Sequence, residues 1–89
     1  MTYGIEILPS ARRELLAVPK REQRRIDERI LALADDPRPS GAKSLVGQNN
    51  LYRIRVGDYR IIYRIQDHYL LILVVRIGHR KDVYRSIGG

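Results

Sequence analysis

Two runs of alternating residues, Leu51–Val56 and Tyr59–Gln66, flank the dipeptide Gly57-Asp58. Period-two alternation marks strands with one covered face, and a Gly-Asp pair between two such runs suits a two-residue hairpin turn. With that turn Val56 faces Tyr59, Arg55 faces Arg60, Arg53 lies opposite Ile62, and Arg64 opposite Leu51. Arg53, Arg55, Arg60 and Arg64 then share one face. Tyr52, Ile54, Val56, Tyr59, Ile61, Tyr63 and Ile65 share the other. A one-residue slip would bury the arginines and expose the tyrosines, so the register is strongly specified. Like charges directly opposite one another oppose pairing. Their retention at Arg55 and Arg60 points to use on a polyanion.

The rest of the chain is read around this hairpin. Thr2 to Leu8 alternates about Ile5 and Ile7 as a first strand, and Pro9-Ser10 ends it, with Ser10 an N-cap for a helix from Ala11. Leu15, Leu16 and Val18 give that helix its apolar side, and Pro19 separates it from a second. In the second helix Ile26, Ile30, Leu33 and Ala34 recur at helical spacing, with Leu31 widening the stripe. Its charged residues, among them Arg21, Arg24, Arg25 and Arg29, read as a solvated outer face. Residues 37–50, rich in Pro, Gly, Ser and Asn, form a long connecting loop that Lys43 and Leu45 dock on the domain. Asp67-His68 is a weaker turn signal, with His68 exposed, before a last strand Tyr69–Ile77. That strand is apolar on both faces and belongs in the sheet interior.

The expected architecture is α+β in one domain, 1–89: a strand, a helix pair, then a three-stranded antiparallel meander. The helices would cover one face of a four-stranded sheet, with a short helix or tail at the end. A two-residue turn at Asp67-His68 places Val75 opposite Arg60 and brings Gly78-His79-Arg80 to the arginine end of the sheet. If Lys81 to Ile87 turns helically, Arg80 and Tyr84 fall on one side. Arg53, Arg55, Arg60 and Arg80 then surround a phosphate, with Tyr84 at the edge.

Charge supports that direction. Of the net +7, none comes from residues 1–36, where seven basic and seven acidic side chains cancel; residues 37–89 carry ten basic and three acidic. Such a basic half suits phosphate-rich partners. There is no cysteine, so no disulfide or thiolate site supports the fold. The longest apolar run, Tyr69 to Val75, is far short of the roughly 20 residues of a membrane span. With no signal-peptide pattern at the start, a cytoplasmic protein is expected.

Tyr52-Arg-Ile-Arg-Val-Gly-Asp-Tyr-Arg-Ile-Ile-Tyr63 and Ile77-Gly-His-Arg-Lys-Asp-Val-Tyr84 together resemble the RelE branch of the RelE/ParE toxin superfamily, over essentially the whole chain. The resemblance implies a ribosome-dependent messenger RNA endonuclease of a type II toxin–antitoxin system, working in the ribosomal A site without a cofactor or metal. By the family's pattern Arg53 and Arg55 match its second-strand basic pair, lysine in the best-known member. Arg60 and Arg80 match its arginines, and Tyr84 its near-terminal tyrosine. His79 stands where that member has lysine.

The implied chemistry is attack of a 2′-hydroxyl on its adjacent phosphate, for which Arg60 and Arg80 are the candidate charge stabilisers. Tyr84 can orient the nucleophile, stack on a base or act as base. His79 is a candidate for acid–base work or a phosphate contact, histidine being the residue type that exchanges protons near neutrality. Arg64, Lys43 and Lys81 are expected to bind RNA backbone. A RelB-type antitoxin with an acidic amphipathic segment is the implied partner, drawn to the basic cleft beside exposed Leu71, Leu73 and Val75 in a hetero-oligomer. A ParE-like inhibitor of DNA gyrase and a non-catalytic RNA-binding module are the alternatives.

Overall fold

The computed structural model describes residues 2–45, 47 and 49–79. In chain order its elements are β1 (Gly4–Ile7), α1 (Pro9–Leu16), α2 (Lys20–Ala32), β2 (Lys43–Ser44), β3 (Leu51–Val56), β4 (Tyr59–Gln66), a 3-10 turn (Asp67–Tyr69) and β5 (Leu71–His79). The strands form one sheet in the order β1-β5-β4-β3-β2, parallel between β1 and β5 and antiparallel elsewhere. Five strands replace the expected four because the loop contributes β2, which pairs Lys43 with Arg53 and Ser44 with Tyr52.

Helix α1 begins earlier than Ser10 would set it. Pro9 occupies its first turn and no side chain caps it, since a fixed φ and a missing N–H suit proline to that position. Gln23 closes the corner between the helices. Its Nε2 donates to the carbonyls of Val18 at 2.7 Å and Leu16 at 3.2 Å, satisfying oxygens that a helix C-terminus leaves unpaired. Both helices cover one face of the sheet. Ala11, Leu15, Val18, Ile26, Ile30 and Leu33 pack there against Ile54, Val56, Ile61, Tyr63, Ile65, Ile72, Val74 and Ile77. Leu16 and Leu31 do not join them. Each is 65% exposed, because the two helices turn narrower stripes to the sheet than their leucines suggest.

The β3–β4 register is the one the alternation dictates, from Leu51 opposite Arg64 to Val56 opposite Tyr59. Gly57 turns it with φ at +60°, a conformation costly to residues with a Cβ. The β4–β5 register differs from expectation: Arg60 lies opposite Gly78, not Val75. Two things move it. The turn runs through Asp67–Tyr69 and Leu70, which adopts a left-handed φ of 48°, so β5 starts at Leu71. A bulge between Ile62 and Tyr63 then shifts the pairing by one more residue.

The turn end of the sheet is tied down by polar contacts. Asp67 accepts from Tyr3 Oη at 2.6 Å and from Arg38 Nη2 at 3.0 Å. These bonds hold the Asp67 carboxyl below its usual range. Arg38 also lies over the Tyr52 ring, 5.3 Å from its centroid. Tyr63 donates to the Pro37 carbonyl at 2.7 Å, and burial pushes its phenol up to about 12.

Candidate functional site

Alternation on β3 and β4 puts Arg53, Arg55, Arg60 and Arg64 on the face that the helices leave open. Arg55 is exposed, Arg53 and Arg64 are half-buried, and Arg60 is buried at 7%. Arg60 is the one buried charged residue among those described. It sits between Arg55 on β3 and Gly78 on β5, and no side-chain hydrogen bond or ion pair joins it to another described residue. Lys43 extends the face from β2, directly opposite Arg53. Arg64 Nη1 donates to the Asn49 carbonyl at 3.1 Å.

Beneath these cations lies a second apolar cluster that the alternation alone does not reveal. Leu51 and Ile62 are its buried members, with Leu45 and Val75 packed against them. Leu71, Leu73 and Val75, expected to be exposed, are half-buried. The dry floor matters for chemistry, because charge–charge interactions strengthen where water is displaced.

His79 takes a different position from the arginines. It pairs with Tyr59, whose side chain belongs to the helix-covered face, and the two rings meet edge to face with centroids 6.0 Å apart. Glu14, Ala17, Val18, Tyr59, Arg76, Gly78 and His79 line a groove of about 360 Å³ there. Glu14 is its organising residue. Beyond β1 no described strand pairs with this edge of β5; Ile77 N–H donates instead to Glu14 Oε1 at 2.9 Å. The other oxygen lies 2.9 Å from Arg76 Nε, an ion pair without hydrogen-bond alignment. Glu14 and Arg76 hold the strand end that leads to residue 80, and no motif in the sequence marks them. Arg80, Lys81 and Tyr84, expected in the site, lie outside the described residues.

The described geometry thus brings together Arg53, Arg55, Arg60, Arg64 and Lys43. Such a face can grip phosphate oxygens and stabilise negative charge, since guanidinium is always ionised and donates in a planar fork.

This combination is a small α+β domain whose sheet is helix-covered on one side and arginine-lined on the other. The profile of the ParE toxin of type II toxin–antitoxin systems matches residues 5–84. Toxin RelG of Mycobacterium tuberculosis is 30% identical over 86 residues, spanning 96% of this chain and 99% of its own. The RelE–RelB complex of the archaeon Pyrococcus horikoshii contains a chain 31% identical, with a TM-score of 0.81 over 93% of this chain and 100% of that one. The RelBE2 toxin–antitoxin complex of M. tuberculosis gives a TM-score of 0.78 at 28% identity, covering 90% and 100%. The chain belongs to the RelE/ParE superfamily, the toxins of type II toxin–antitoxin systems.

Proposed function

We propose that this toxin is a ribosome-dependent messenger RNA endonuclease, acting in the cytoplasm and silenced by a RelB-type antitoxin. The observation that carries the proposal is Arg60: the one buried charged residue among those described, directly facing a second arginine across the hairpin. Like charges opposed across a hairpin repel, and a phosphate brought to the face relieves the Arg55–Arg60 repulsion.

The reaction breaks one P–O bond and forms another. The substrate's 2′-oxygen attacks the adjacent phosphorus as its proton leaves to a base, and the 5′-oxygen departs with a proton. The products are a 2′,3′-cyclic phosphate and a free 5′-hydroxyl. Arg60, with Arg53, Arg55 and Arg80, stabilises the phosphorane, where one preorganised donor is worth about 3 kcal/mol. Tyr84 and His79 are the proton-transfer candidates, and the ring of His79 meets that of Tyr59 edge to face. Arg64, Lys43 and Lys81 hold backbone phosphates. The arginines supply the positive charge that a metal provides elsewhere. An acidic amphipathic antitoxin segment suits the same face, and the complexes of the P. horikoshii and M. tuberculosis relatives with their antitoxins support such a partner.

Primer extension on messenger RNA in a reconstituted translation reaction tests the reading. Wild type should cut only with ribosomes present, and Arg60→Ala should slow cutting about a hundredfold. Intact messenger with wild-type protein, together with loss of gyrase supercoiling activity, would favour the ParE-like reading that the family profile's description suggests.

A further inference from the structure

The open face continues past the arginines. Gln66 follows Arg64 on the same side of β4, six residues and so about 20 Å from Arg60 at roughly 3.3 Å per strand residue. Gln66 lines, with Asn50, Asp67, His68 and Tyr69, a groove of about 380 Å³. Tyr69 is 78% exposed, more than any other large apolar side chain described. Its ring stands in water at the rim of this polar groove, open to a stacking partner.

The groove has the chemistry of a heteroaromatic-ring site. Asn50 and Gln66 each carry an amide donor and acceptor, Tyr69 offers a stacking face, and His68 is exposed beside it. The one carboxylate, Asp67, is engaged by Tyr3 and Arg38, which offsets its repulsion of a phosphate chain. Arg64 lies between this groove and Arg60 on the same strand face. Its bond to the Asn49 carbonyl anchors the loop that presents Asn50.

We propose that the groove of Asn50, Gln66, His68 and Tyr69 binds a base of the same single-stranded RNA, several nucleotides from the bond held by the arginines. The inference rests on the nuclease reading and extends its substrate footprint. Tyr69 stacks on the base, the amides meet its edge, and Arg64 bridges the intervening backbone. Stacking of this kind tolerates any base, and hydrogen bonds from the amides add preference.

Fluorescence anisotropy of the full chain with non-cleavable 2′-O-methyl RNA tests it, comparing a long single strand with a dinucleotide. Tyr69→Ala should weaken the long strand about tenfold, leave the dinucleotide unchanged and keep the salt slope, since no phosphate contact is lost. Tyr69→Trp should restore affinity. Arg60→Ala should weaken both ligands and flatten the slope. If Tyr69→Ala and Gln66→Ala bind the long strand as wild type does while Arg60→Ala fails, the groove assignment is wrong and the nuclease reading stands. Equal weakening of both ligands by Tyr69→Ala would mark a merely structural role and also overturn it. Wild-type affinity in Arg60→Ala would bring down both, and no binding by wild type would overturn the groove assignment while leaving ribosome-dependent cutting to the primer-extension test.

Discussion

The two faces of one sheet contrast sharply, although alternate residues of the same strands supply them. The helix-covered face is a continuous apolar core in which Ile61, Tyr63, Ile65, Ile72 and Val74 are all fully buried. The open face has a small core, Leu51 and Ile62, among arginines that repel one another. Stability resides in the first and is sacrificed on the second. The division follows from the pleat, which lets adjacent residues answer to opposite demands.

The largest test of that contrast is Tyr63→Ala. Tyr63 is buried, stacks on Tyr52 at 6.0 Å and donates to Pro37. Its truncation should cost about 3–5 kcal/mol in chemical denaturation, and a loss below about 1 kcal/mol would contradict the assignment of stability to this face.

On the opposite face, Arg60→Met should do the reverse. Removing one of two arginines opposed across the hairpin, in favour of an apolar side chain of similar length, should stabilise by up to about 1 kcal/mol while cleavage is lost. A destabilised variant would show that Arg60 holds the fold together and would erase the contrast.

The narrowest effect is confined to alkaline pH. The Tyr63 phenol is raised from 10.0 to about 12 in the folded protein, so only the unfolded chain ionises it between those values. Its contribution is complete below pH 10 and is lost as pH rises toward 12, a change of roughly 2–3 kcal/mol. Tyr63→Phe should cost about 1 kcal/mol near neutrality through the unpaired Pro37 carbonyl. Its denaturation midpoint should then fall less steeply above pH 10 than that of wild type; parallel pH profiles would refute this.

Sequence reading succeeded where one interaction dominated. The β3–β4 register follows from strict alternation and a glycine able to adopt positive φ, so alternation alone puts Arg53, Arg55, Arg60 and Arg64 on one face. It failed where local signals were silent. Leu70 takes a left-handed conformation with no glycine to announce it, and no residue at Ile62/Tyr63 marks the bulge there. Together they shifted β5 by three residues relative to Arg60. β2 is too short to show a period. The Glu14–Arg76 pair joins residues far apart in sequence, and no spacing rule foretells it. Leu16 and Leu31 were misread because helical apolar stripes do not state their own width.

The strand that enters the sheet last in chain order lies inside it. β5 inserts between β1 and β4, so the N-terminal strand has no partner until nearly all of the described chain has left the ribosome. Non-local pairing of this kind folds slowly. During synthesis the helices and β1 must therefore wait with their apolar faces uncovered, and a toxin of this topology completes its core only in a late step, after the arginine hairpin. A truncated chain lacking β5 would keep the arginine hairpin but lose the central strand of its core.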